Sequence, residues 1–108
     1  MENLLWLLAG VGLIVAGYPL MTRRVPPNYW YGFRVPKTLR DPHVWYDANY
    51  VAGRDLLLAG LAVLLTALFT LLLAWLLPVG IASHLTYSVF IVAMLLVIVD
   101  GFWALSKL

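Results

Sequence analysis

Apolar positions fall into three long runs, separated by one polar stretch and one short break. Leu4 to Leu20 is 17 residues with no charge and no Ser, Thr, Asn or Gln. Leu56 to Leu77 is 22 residues whose only hydroxyls are Thr66 and Thr70. Leu85 to Leu105 is 21 residues whose only charge is Asp100. A hydrocarbon core about 30 Å thick takes about 20 apolar residues in a helix. Lipid offers backbone groups no partner outside that helix. The pattern therefore predicts an all-α, polytopic membrane protein with spans over about 4–21, 56–77 and 85–105. The whole chain, 1–108, reads as one membrane domain. Pro78-Val-Gly80 predicts a tight stop after the second span, and 78–84 a short turn. The second and third spans are then antiparallel neighbours. The first run begins with Glu2 and no Lys or Arg, and no small-x-small site follows the run before Arg23. It is expected to be a retained span, not a cleaved signal.

The loop 22–55 differs in kind. Pro26-Pro27-Asn28 predicts an extended or turn segment, Gly32 a position of positive φ, and Pro36 an extended Val35. Asp41-Pro42 reads as a helix N-cap followed by proline in the first turn. A short interfacial helix is predicted from Pro42 to about Ala52, with Trp45, Asn49 and Gly53 on one face.

Charge gives the loop a side. Six of the seven basic residues lie in it: Arg23, Arg24, Arg34, Lys37, Arg40 and Arg54. By the positive-inside rule the loop and C-terminus are expected in the cytoplasm, and the N-terminus outside. The loop also holds seven of the fifteen aromatics, a residue class that favours the membrane–water interface. With Asp41, Asp47 and Asp55 it carries net +3, so attraction to an anionic leaflet offers only a few kcal/mol. Basic charge and aromatic burial together predict a loop lying along the inner surface. The composition agrees: 64% hydrophobic and 11% charged, against about 25% charged in soluble domains. There is no cysteine, which excludes disulfides, thiolate metal sites and a cysteine nucleophile.

The residues Asn28, Tyr31, Gly32 and Arg34, then Thr38, Trp45, Asn49 and Gly53, form an ordered pattern. It resembles the signature of the SdpI family, roughly N-x-x-Y-G-x-R, a Thr, a Trp, then N-x-x-x-G leading into a membrane helix. These are bacterial membrane proteins named for an immunity protein against a secreted killing peptide. The resemblance implies protection against a membrane-active peptide, sometimes coupled to recruitment of a cytoplasmic regulator. It makes those eight residues the candidate ligand or partner positions, in a bacterial or archaeal cell membrane.

Each candidate has a structural reading beside the functional one. Arg34 and Thr38 suit a lipid phosphate or a peptide carboxylate, or they tie the loop to helix-end carbonyls or to Asp100. Trp45, Asn49 and Gly53 line a ligand groove, or form a packing seam in which Asn49 satisfies loop backbone. Asp100 is a charge within a span, about 7–8 Å from its end. An intramembrane ion pair with Arg23, Arg34 or Arg54 is expected. Ala62, Thr66, Thr70 and Ala74, and Gly12 and Ala16, recur every four residues and predict close helix contacts, within one chain or in a homo-oligomer. His43 and Asp47 are two ligands short of a metal site, and Ser83 beside His84 is not a triad. No cofactor, enzymatic activity or direct nucleic-acid contact is expected. The reading is an SdpI-like protein that neutralises or senses a membrane-active peptide. The rival is a lipid-binding or transport component whose loop holds phospholipid headgroups.

Overall fold

The computed structural model describes residues 2–78 and 80–108, with side chains from Leu4 onward. Val79, inside the expected Pro78–Gly80 stop, lies outside the described residues. The described chain is all-helical: α1 (Glu2–Met21), α2 (Pro36–Arg40), α3 (Pro42–Leu72) and α4 (Ile81–Ser106). Helices α1, α3 and α4 are each long and apolar enough to cross a bilayer. The protein is a multi-pass membrane protein.

Helix α1 ends in a Schellman motif. The N–H of Arg24 donates to the Pro19 carbonyl (3.1 Å) and that of Arg23 to the Leu20 carbonyl (3.2 Å). Arg23 takes the left-handed conformation this requires, with φ 60°. Its charge meets the negative end of the helix dipole.

Asp41 caps α3 as expected, its Oδ1 accepting from the His43 N–H at 2.9 Å. The helix that follows does not stop near Ala52. It continues without a break into the second span, giving one rod of 31 residues, about 46 Å long. The separate short helix of the loop is α2 instead. Gly53 is no hinge, because its missing Cβ serves a close contact and its backbone stays helical. At the far end α3 stops at Leu72, five residues before the expected Leu77. Turns over Leu73–Leu76 follow, with Leu76 N–H on the Leu73 carbonyl (2.9 Å). Pro78 disfavours helix in the residue before it. Helix α4 begins at Ile81, earlier than expected, after Gly80 at φ 99°. Its first turn closes with His84 N–H on the Gly80 carbonyl (2.9 Å).

Helix α3 is central, and both α1 and α4 pack mainly on it. Along α3 the buried stripe runs Trp45, Asn49, Ala52, Ala59, Val63, Ala67 and Thr70, largely the three- and four-residue steps of a coiled-coil-like seam. Lipid removes the hydrophobic drive between spans, so close backbone packing holds them. Two glycine pairs supply it. A Cβ on Gly60 would stand 2.6 Å from the Gly10 carbonyl oxygen, and one on Gly53 2.5 Å from that of Gly17. Gly12 of the expected ladder has nothing within 4 Å of its Cβ position, and Ala62 is exposed. The seven-residue glycine spacing, not the four-residue ladder, marks the α1–α3 contact. Helices α1 and α4 meet at Trp6, whose ring lies 6.1 Å from Tyr87 and 5.6 Å from Phe90.

Candidate functional site

The loop from Thr22 to Val35 folds back on the first three turns of α3. Asn28 shapes its entry. Its Oδ1 accepts from the N–H groups of Trp30 (2.8 Å) and Tyr31 (2.7 Å), and its Nδ2 donates to the Pro26 carbonyl (2.8 Å). This side-chain turn replaces backbone bonds that the two prolines cannot donate. Tyr31 then reaches α1, where its hydroxyl donates to the Ala16 carbonyl. Burial pushes the Tyr31 phenol above the ordinary tyrosine range.

Asn49 is the hub. Its Oδ1 accepts from the Phe33 N–H at 2.6 Å, and its Nδ2 donates to the Trp45 carbonyl at 2.9 Å. Gly32 lets the loop come this close. At φ 117°, a Cβ there would stand 2.7 Å from Asn49 Oδ1 and 3.1 Å from the Trp45 ring. Trp45 is fully buried, and its Nε1 donates to the Val25 carbonyl at 2.8 Å. Thr38, also fully buried, donates to the Phe33 carbonyl (2.8 Å) and accepts from the Val35 N–H (3.0 Å). The structure thus brings six of the eight pattern residues, Asn28, Tyr31, Gly32, Thr38, Trp45 and Asn49, into one fastening. Gly53 stands apart, in the α1–α3 seam.

Arg34 is the signature residue left exposed, with one guanidinium nitrogen on the Tyr29 carbonyl. Around it the loop tip presents Tyr29 and Trp30, 77% and 87% exposed. The other cations are braced. Arg23 pairs with Asp47 at 2.9 Å and lies over the Tyr50 ring. Arg24 lies over Tyr18. Lys37, not Arg34, ties the loop to a helix end, donating to the Leu105 carbonyl at 2.8 Å. Phe33 packs edge-on against Phe102, ring centres 5.1 Å apart.

Asp100 pairs with Arg54, Nη2 to Oδ2, at 3.1 Å. The same Nη2 lies 3.1 Å from Asp55 Oδ1. Asp55 is the partner that sequence reasoning missed, because it counted only as one of three loop acids. Among the described residues no three metal-ligating side chains cluster.

The SdpI/YfhL protein family matches residues 24–103, about three quarters of the chain. The chain belongs to that family. No curated protein and no solved structure matches it. The family match begins just after α1 and runs through the loop, α3 and most of α4. It therefore includes the Asn49 hub, the exposed tip and the Arg54–Asp55–Asp100 cluster. The residues of the Asn28-to-Gly53 pattern mostly hold the loop in one shape, with Arg34 at its open face.

Proposed function

We propose that this SdpI/YfhL family member protects a cell against a membrane-active peptide, or senses one. The observation that carries the reading is the exposed Tyr29-Trp30 tip with Arg34 beside it, held on a frame of buried polar contacts. An aromatic pair with a guanidinium binds an amphipathic partner by ring burial and by a fork to carboxylate. The basic loop is placed in the cytoplasm by the positive-inside rule. There it meets a peptide that has entered the bilayer, or a cytoplasmic regulator. A homo-oligomer fits the thin three-span bundle.

The test is to express the chain in a peptide-sensitive bacterium and challenge it with the killing peptide. Survival that rises with expression, and falls in Trp30→Ala at equal membrane insertion, supports the reading. Unchanged killing with the protein correctly inserted overturns it.

A further inference from the structure

Between α3 and α4 lies an open groove of about 610 Å³, within the range of about 300–1,000 Å³ typical of small-molecule sites. It starts at Asp55 and Asp100 and runs along Ala59 and Ala62 of α3 and Ala93 of α4. Ala62 and Ala93 each lie seven residues from the nearer acid, about 10 Å along the helices. The trough is therefore apolar along its length and charged at the loop end. Trp103 borders that end, with the Lys107 ammonium 3.7 Å above its ring.

The charged end is unbalanced. One guanidinium nitrogen of Arg54 serves both Asp55 Oδ1 and Asp100 Oδ2, at 3.1 Å each. Two carboxylates against one guanidinium leave one negative charge over. Asp55 Oδ2 is buried and has no hydrogen-bond partner. A buried acceptor of this kind is costly unless a donor reaches it. Arg54 bridges the two acids that line the groove and is itself 43% exposed, so it also offers a cation beside the charged end.

We propose that this groove binds an aminophospholipid of the phosphatidylethanolamine type. The primary ammonium donates to the half-exposed Asp100 carboxylate and, as the Asp55 carboxyl turns toward the groove it lines, to Asp55; the phosphate lies against Arg54, and an acyl chain fills the trough beside Ala62 and Ala93. The headgroup matches the site in sign: positive charge at the acid pair, negative charge at the guanidinium. A choline headgroup has no N–H to give Asp55. A headgroup with no amine sets its phosphate beside two carboxylates with nothing to offset them. The site is separate from the loop tip, and the assignment does not rest on the peptide reading.

Native mass spectrometry of the full chain, taken from bilayers of equal phosphatidylethanolamine, phosphatidylcholine and phosphatidylglycerol, tests it. A charge-assisted hydrogen bond predicts retention of the ethanolamine lipid about tenfold above the choline lipid. Stepwise N-methylation of the headgroup should erode that preference in the unmodified protein, which needs no variant to fold. Asp55→Asn should abolish the preference. Ala62→Phe, at an exposed position, should reduce retention of all chains by filling the trough. Equal retention of the ethanolamine and choline lipids, or a preference untouched by Asp55→Asn in a folded protein, overturns the proposal. Either result would mean that a proton shared by the acid pair, or ordinary surrounding lipid, meets the need.

Discussion

Gly17 and Gly53 lie backbone to backbone across the α1–α3 contact. A Cβ on Gly17 would stand 2.4 Å from the Gly53 carbonyl oxygen, and the reverse distance is 2.5 Å. Neither neighbour is a flexible side-chain end, so an added carbon has nowhere to go. Gly53→Leu is expected to destabilise the bundle by about 1–3 kcal/mol as overpacking, read as a lower unfolding midpoint in detergent. Gly12→Ala, with open space at its Cβ position, should leave the midpoint unchanged. Equal midpoints for both would remove the seam from the account.

The Asn49 hub makes a local prediction. Asn49→Leu leaves the Phe33 N–H, now bonded at 2.6 Å, without an acceptor. Loss of such a partner costs about 1–3 kcal/mol. The spans should persist while the loop loosens. Limited trypsin treatment of the reconstituted protein should cut at Arg24 and Arg34 faster than in the unmodified chain, with helical content retained. An unchanged cutting rate would show that the loop is held elsewhere.

Much of this fold could be read from the sequence, because hydropathy reports contact with lipid directly. The same signal hid the continuity of α3. The helix that Asp41 and Pro42 start is expected to end near Ala52, because Arg54 and Asp55 put charge just before the apolar run, but nothing there stops it. Gly10, Gly17, Gly53 and Gly60 were visible as seven-residue pairs, but Gly12 and Ala16 offered an equally plausible ladder. Only the depth of contact distinguishes them. Asp55 was hidden for another reason: its cluster joins α3 to α4 through Asp100, 45 positions further on, and no local spacing encodes that.

Tyr31 links alkaline pH to stability. Burial raises its pKa above the ordinary range, so the folded state holds the phenolic proton more tightly than the unfolded chain. Its contribution is complete below about pH 10 and is lost as pH rises through the folded value. Tyr31→Phe should be less stable at neutral pH, having lost the bond to Ala16. It should also lose less stability than the unmodified protein as pH rises above the ordinary tyrosine value of about 10. Parallel pH profiles for the two would show that Tyr31 does not titrate with folding.

The orientation can be checked with one residue. Arg40 is exposed and the chain has no cysteine, so Arg40→Cys is a single reporter. In intact cells a thiol reagent that cannot cross lipid should leave it unmodified, and permeabilised cells should label it fully. Ready labelling from outside would invert the proposed topology.

The unbroken α3 has a mechanical corollary. Trp45 sits 19 positions from Leu64 on one stiff lever, an arm of about 28 Å. Tilting that lever by about 10°, well inside the spread seen for membrane helices, swings the floor beneath the Asn49 hub sideways by about 5 Å. Any tilt of α3 is thereby carried to the loop fastened on its first turns, with no joint between them to absorb it.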